Sequence, residues 1–152
     1  MRDPDSRLAK ILVAYYGFIQ ALHLVGIGWA SVVLDTTGEM TFPAPPPVGG
    51  WSEQAVNFFV GVGAIDALNA VLALAFVYGF FKGARWRGWL GALTLTVAAY
   101  SAVLFAFATL PTGAWAFRPV EYLIIVVAFA PALALMVAFG YWLVTTSNTT
   151  GP

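Results

Sequence analysis

The sequence predicts an all-α integral membrane protein, a bundle of four transmembrane helices with both termini in the cytoplasm. Of its 152 residues, 61% are hydrophobic and 9% are charged, and the mean hydropathy is +0.83. A soluble domain carries about 25% charged residues, so this chain lacks the charge to cover a globule in water. The second observation is the spacing of its apolar segments. Each has about 20 residues or more, enough to cross a hydrocarbon layer about 30 Å thick.

Composition also excludes several classes of function. The chain has no cysteine, so it has no disulfide, thiolate metal site or cysteine nucleophile. Its single histidine, His23, excludes metal sites built from several histidines and haem held by two imidazoles. We therefore expect no metal and no cofactor. Because the net charge is zero and no basic tract is present, we also expect no nucleic-acid partner.

Helix 1 is predicted at about residues 8–34. The polar start of the chain ends in two good helix N-caps, and no charged residue follows between Lys10 and Asp35. A cleaved signal peptide is the alternative for this segment. We reject it because the apolar stretch is too long, contains Gln20 and His23, and lacks a clean small-residue cleavage site.

A long loop at residues 35–52 precedes helix 2. The proline-rich run 43–47 and the glycine pair that follows it favour extended or turning backbone over helix. Ser52 is then a suitable cap, and Glu53 places an acid at the positive end of the next helix. Helix 2 is therefore predicted at about 53–81.

Helices 3 and 4 complete a single domain that covers residues 1–152. A short basic turn at 82–87 separates helix 2 from helix 3, which is predicted at about 88–110 and stops at Pro111. Helix 4 begins with Pro119, a favourable first helical residue, and runs over about 119–144. A polar tail closes the chain.

The charges of the short loops predict the orientation. Lysine and arginine collect near the N-terminus and in the turn 82–87, whereas Asp35, Glu39, Glu53 and Glu121 lie at the opposite ends of the helices. By the positive-inside rule both termini are cytoplasmic. We predict a multi-pass membrane protein, which in a prokaryote would occupy the plasma membrane. A glycosylation triplet at 148–150 would require the tail outside, but such triplets are common by chance.

Polar side chains lie unusually deep in the predicted bundle. His23 is roughly 20 Å from Lys10 along helix 1, and Asp66 is roughly 24 Å from Lys82 along helix 2, at 1.5 Å per residue. Because both distances start from the cytoplasmic side, the two side chains share one depth. A carboxylate there costs at least about 2.5 kcal/mol unless it is paired, neutralised or hydrated. Asp66 is therefore the predicted functional anchor.

Every predicted helix contributes a polar or backbone-opening residue at this depth. Gln20 is three residues from His23, and Asn69 is three residues from Asp66, so each helix presents a polar pair on one face. Helix 3 brings Tyr100, flanked by Thr96 and Ser101, to its middle, and a proline in helix 4 removes a backbone hydrogen bond there. The predicted ligand-binding residues are Gln20, His23, Asp66, Asn69, Thr96, Tyr100 and Pro131.

Structural roles remain open for the same residues. A pair between Asp66 and His23 would lock helices 1 and 2 together, since polar side chains also hold membrane helices to each other. The small residues around Gly61 and Gly63 are predicted to form a surface for close helix contact rather than a phosphate loop, because no basic residue accompanies them.

The arrangement resembles the EXPERA family, which includes the emopamil-binding sterol isomerases and the sigma-two receptor. The shared features are His23 in helix 1, a long loop, Asp66 in the middle of helix 2, the sequence 81–83 before a Trp/Arg turn, and Ala130-Pro131 in helix 4. The resemblance implies a pocket that opens toward the membrane. In it, Asp66 would be counter-ion or proton carrier and His23 its partner. Helix 1 lacks a second acid at mid-membrane depth, and no further histidine or glutamate completes an isomerase proton relay.

Four functions fit these predictions. The preferred one is binding of a sterol, isoprenoid or lipid in an intramembrane pocket anchored by Asp66. The second is an isomerase or cyclase of such a molecule, with Asp66 and His23 as acid and base. The third is an accessory subunit with a homodimeric or membrane-complex partner, in which the polar cluster only fixes helix packing. The fourth is an ion path, which needs an oligomer because one four-helix protomer leaves little room for a pore.

Overall fold

The computed structural model describes residues 6–41 and 43–147, and within them it is helical with no strand. Four helices are long and apolar enough to cross a membrane, which confirms the predicted all-α membrane class. The orientation of the bundle in the membrane stays a prediction. The helices are α1 Arg7–Thr37, α2 Glu53–Phe81, α3 Arg87–Thr109, which continues as a 3-10 turn Leu110–Thr112, the short α4 Ala114–Phe117, and α5 Pro119–Ser147.

Local hydrogen bonds explain where the first two helices begin and end. The hydroxyl of Ser52 accepts a hydrogen bond from the amide of Ala55 at the start of α2. α1 continues past its predicted end to Thr37, and the hydroxyls of Thr36 and Thr37 donate to carbonyls in its last turn. It stops at Gly38, which has φ of 75° and whose amide donates to the carbonyl of Leu34.

The segment between α3 and α5 contains a 3-10 turn and a short helix, to which no structure was assigned from the sequence. Pro111 lies inside the 3-10 turn, and Gly113, with φ of 75°, reverses the chain into α4. Proline is tolerated there because the first turn of a helix needs no amide donor. The indole of Trp115 on α4 donates a 2.7 Å hydrogen bond to the hydroxyl of Thr109. That bond holds the connection against the end of α3.

The four long helices form a ring in chain order, with α2 packed on α1 and α3, and α5 packed on α3 and α1. The structure thus has two ends. We name one the basic end, after the exposed residues Arg7, Lys10, Lys82 and Arg85 and the neighbouring Arg87. The other is the loop end, which carries the loop 38–52 and α4.

The half of the bundle nearer the basic end is tightly packed. Phe76 of α2 is fully buried and makes edge contacts with Phe80 and with Phe139 of α5. Gly91 of α3 admits the ring of Phe76, since a Cβ there would lie 2.6 Å from it. The other buried members of this core are Ala9, Val13, Tyr16, Ala73, Leu95, Ala98, Ala132 and Leu135.

A smaller apolar cluster closes the loop end. Tyr122 of α5 is fully buried, stacks on Phe105 of α3, and donates a 3.1 Å hydrogen bond to the carbonyl of Pro45. Ala44 of the loop and Ala114 of α4 are buried beside it. This cluster therefore ties the long loop to α3 and α5.

The predicted close-contact surface on α2 is wrong at its two glycines. A Cβ added to Gly61 or Gly63 would meet no atom within 4 Å. The close approaches occur at Gly17, where a Cβ would lie 3.0 Å from Val77, and at Gly79 and Gly91. The prediction missed this because glycine in an apolar helix indicates only that space exists, not whether a neighbour occupies it.

Candidate functional site

Asp66 lies at the centre of a three-residue polar cluster. Its Oδ1 accepts a 2.6 Å hydrogen bond from the hydroxyl of Ser101 on α3. Its Oδ2 lies 3.5 Å from Nε2 of His23 on α1, and both side chains are largely buried. The ring of His23 also packs edge-on against Phe129 of α5, with ring centroids 5.6 Å apart. The cluster therefore joins all four long helices.

The order of groups in this cluster limits its chemistry. A serine nucleophile needs a base that takes its proton, usually a histidine held by a carboxylate. Here the carboxylate stands between the hydroxyl and the imidazole, so Ser101 is bonded to Asp66 and is not activated by His23. The arrangement suits a carboxylate that receives a hydrogen-bond donor, or a proton, from a bound molecule.

A layer of polar side chains lies below the cluster, toward the basic end. Tyr16 of α1 donates a 3.1 Å hydrogen bond to the carbonyl of Thr94, and the side-chain nitrogen of Asn69 donates to the same carbonyl at 3.2 Å. Gln20 is buried at this level as well. Within the described residues, Oδ1 of Asn69 is buried and accepts no hydrogen bond. We name Tyr16, Gln20, Asn69 and Thr94 the polar layer.

A cavity of about 1210 Å³ extends from Gln20 and Asn69 of the polar layer to the loop end, where Met40, Pro43 and Trp115 line it. The bundle is therefore packed near the basic end and hollow toward the loop end. Most of the cavity wall is aliphatic or aromatic. Its polar lining residues are Gln20, His23, Ser31, Asp35, Asp66, Asn69 and Ser101.

Small side chains make room for this cavity. On α2, Gly63 and Ala67 line it, and an added Cβ at Gly63 would meet nothing within 4 Å. The residues of α3 and α5 that face the cavity follow the same pattern. They include Ala98, Ala99, Ala102 and Ala106 on α3 and Ala128, Ala130 and Ala132 on α5.

The cavity also reaches the lipid-facing surface. Leu22 of α1 lines it while 52% exposed, and Val126 and Leu133 of α5 line it while each is 46% exposed. A molecule dissolved in the hydrocarbon layer could therefore approach from the side of the bundle.

The structure brings four of the predicted site residues together and leaves three outside the cavity. Gln20, His23, Asp66 and Asn69 all line it. Thr96 and Tyr100 lie on the outer face of α3, where Tyr100 is 62% exposed. Pro131 is partly buried within α5, between two alanines that line the cavity.

The rotation of α3 explains two of the residues that lie outside the cavity. Thr96 and Tyr100 are four residues apart, so they share one face of α3, and that face points outward. Ser101 was expected beside Tyr100 but not as a ligand-binding residue, and it lies on the face that lines the cavity together with Ala98. Thr94 was not predicted as a site residue, and the sequence carries no signal for the rotation that separates these faces.

Within the residues that the structure describes, no three His, Cys, Asp or Glu side chains lie close enough to hold a metal ion. Comparison with protein-family models, with curated proteins and with solved structures gives no match for this chain. The resemblance to the EXPERA family stays a prediction, and the function must be inferred from the cavity and its side chains.

Proposed function

We propose that this membrane protein binds an apolar or amphipathic small molecule, a sterol, isoprenoid or lipid, inside its bundle, with Asp66 as the polar anchor. The observation that carries this proposal is a large apolar cavity whose inner end presents Asp66, His23 and Ser101. Small-molecule sites are usually concave and mostly apolar, with a few placed polar groups. The cavity has this composition.

The size of the cavity favours a bulky ligand. Typical small-molecule pockets have volumes of roughly 300–1000 Å³, and this one measures about 1210 Å³. An empty apolar space of this volume loses the dispersion contacts that its wall would otherwise make. Since the same protein packs its other half densely around Phe76, the hollow half is better explained by an occupant than by poor packing.

The position of the polar groups orients the ligand. Its polar end would contact Asp66, next to the polar layer, and its apolar body would extend toward Met40 and Trp115 at the loop end. A hydroxyl or another hydrogen-bond donor suits Asp66, because a carboxylate accepts hydrogen bonds. The cavity-lining residues that are exposed on the lipid-facing surface indicate a route from the hydrocarbon layer.

One observation favours a catalytic version of the same site. Asp66 stands within reach of both an imidazole and a hydroxyl, so it could exchange a proton with a bound molecule and pass it to His23. An isomerase or cyclase of a lipid or isoprenoid needs an acid and a base placed in this way. This candidate predicts a chemically altered product, whereas simple binding returns the ligand unchanged.

Ligand-dependent thermal stability tests the binding proposal. The purified protein is heated in detergent with individual sterols, isoprenoid alcohols and phospholipids. A ligand at about 100 times its Kd stabilises the folded state by about 2.7 kcal/mol, so Tm rises with ligand concentration. We expect that rise to be lost in Asp66→Asn and kept in Glu39→Gln, which removes an exposed carboxylate from the loop. The same rise in Asp66→Asn would refute the anchoring role, and no rise with any ligand class would refute the proposal.

A further inference from the structure

A second concave surface lies on the outside of α3, at the basic end. It has a volume of about 500 Å³ and is lined by Trp86, Trp89, Leu90 and Leu93. These residues follow one stripe of the helix at spacings of three and four, so the groove runs along the helix from the turn 82–87 into the membrane-spanning region. Trp89 is 76% exposed and Leu93 is 53% exposed. The groove therefore faces the lipid.

Trp86, which lines the end of this groove nearest the turn 82–87, packs against Gly79. A Cβ added to Gly79 would lie 2.3 Å from the indole of Trp86, so this ring lies directly against the backbone of α2. The amide of Ala84 donates a 2.8 Å hydrogen bond to the carbonyl of Gly79, which fixes the turn beside it. The groove is thus part of the fold and does not depend on a loose side chain.

The turn that carries Trp86, at one end of the groove, also carries positive charge. Lys82 and Arg85 are exposed, and the ion pairs found among the described residues, His23 with Asp66 and Arg118 with Glu121, involve neither of them. The described acidic residues all lie at the loop end or at Asp66. A basic residue near an anionic membrane surface contributes about 1 kcal/mol of attraction.

The start of α3 adds a further positive contribution at the same place. α3 begins at Arg87 with no side chain capping its first turn. The amide of Arg87 donates to the carbonyl of Ala84, and the positive end of the helix dipole at this place favours a phosphate group. Lys82, Arg85 and this helix end thus present positive charge next to an apolar groove.

We propose that this surface, separate from the intramembrane cavity, binds an anionic phospholipid. The phosphodiester would contact Lys82, Arg85 and the first turn of α3, and an acyl chain would lie along Trp86, Trp89 and Leu93. A zwitterionic phospholipid fits less well, because its own ammonium group would meet the same positive charges. Tryptophan at the membrane interface suits contact with both the headgroup and the chain.

Native mass spectrometry of the detergent-solubilised protein tests this site without requiring a defined membrane orientation. Phosphatidylglycerol and phosphatidylcholine with identical acyl chains are titrated separately. Wild type should prefer phosphatidylglycerol, and Lys82→Gln/Arg85→Gln should weaken that binding roughly 30-fold, at about 1 kcal/mol per basic residue. Arg7→Gln/Lys10→Gln removes the same charge from the basic end but not from the turn that carries Trp86, so it should leave the affinity for phosphatidylglycerol close to that of wild type.

Three more variants make the outcome specific. Lys82→Arg/Arg85→Lys keeps the charge and should keep the preference for phosphatidylglycerol. Trp89→Ala should weaken the binding of both lipids, whereas Trp29→Ala, on the exposed face of α1, should weaken neither. Equal affinity for the two lipids in wild type would overturn the proposal. So would equal losses in the two charge-removing double variants, or a dimer forming through the groove in place of lipid binding.

Discussion

Nε2 of His23 on α1 lies 3.5 Å from Oδ2 of Asp66 on α2. Both residues lie near the middle of helices that are long and apolar enough to cross a membrane. The hydroxyl of Ser101 on α3 donates a hydrogen bond to the other carboxylate oxygen of Asp66. A carboxylate at this depth is costly without partners, and these two partners offset part of that cost. The cluster also stands at the wall of the cavity, so it can serve a ligand as well as the fold.

Filling the cavity should remove ligand binding without unfolding the protein. Gly63 lines the cavity and has open space beside its Cα, so Gly63→Leu would place a side chain in the volume that the ligand needs. Replacing a helical glycine also stabilises a helix by roughly 0.5–1 kcal/mol. We expect an unchanged or slightly higher Tm and at least a tenfold loss of affinity, measured by ligand-dependent thermal stability.

Gly61→Leu is the matched control for the change at Gly63. Gly61 lies two residues earlier on the same helix, has equally open space and is exposed outside the cavity. It should gain the same helical stability and keep the ligand. Equal affinity in the two variants would show that the ligand lies elsewhere.

The packed half of the bundle should respond in the opposite way to added volume. Gly91→Ala would place a Cβ 2.6 Å from the ring of Phe76, which is fully buried between Phe80 and Phe139 and has no free space to move into. Overpacking of this kind costs about 1–3 kcal/mol. We expect a lower Tm in detergent, with ligand binding retained in the fraction that remains folded.

Gly140→Ala controls for the loss of a glycine from a membrane helix. No atom lies within 4 Å of the Cβ it would add, so we expect a Tm equal to or above that of wild type. If Gly91→Ala were as stable as Gly140→Ala, the close packing of α2 against α3 would be contradicted.

The loop end should loosen when Tyr122 loses its hydroxyl. Tyr122→Phe removes the 3.1 Å hydrogen bond to the carbonyl of Pro45 but keeps the ring that stacks on Phe105. A hydrogen bond of this kind contributes about 1 kcal/mol, so amide exchange and proteolysis in the loop 38–52 should accelerate roughly fivefold. Tyr100→Phe, on the outer face of α3, should leave both rates unchanged. No change in Tyr122→Phe would mean that the apolar cluster alone holds the loop.

Much of the fold could be predicted from the sequence because the membrane imposes it. Low charge and long apolar segments leave few alternatives to a bundle of spanning helices. The common depth of His23 and Asp66 was also predictable, since both helices start from the same side and rise by a fixed amount per residue. Their contact across α1 and α2 also requires the two side chains to face each other, which depth alone does not decide.

The rotation of each helix was much harder to predict. In a soluble protein, polar residues mark the outer face of a helix, but in a membrane the outer face is apolar as well. Nothing in the sequence around Thr96 and Tyr100 distinguishes the side that faces lipid from the side that faces Ser101 and the cavity. For the same reason, small residues such as Gly63 could indicate either close packing or empty space. Only the arrangement of all four helices decides between these two.

Identification of the small molecules that stay with the protein during purification tests the binding account most directly. Wild type and Asp66→Asn are purified in parallel in detergent, extracted, and analysed by mass spectrometry, with intact folding checked by their thermal unfolding. We predict one enriched sterol, isoprenoid or lipid in a near-stoichiometric amount in wild type, and its loss from Asp66→Asn. If both folded proteins carry only the bulk membrane lipids in equal amounts, the cavity does not hold a specific ligand and the central proposal is contradicted.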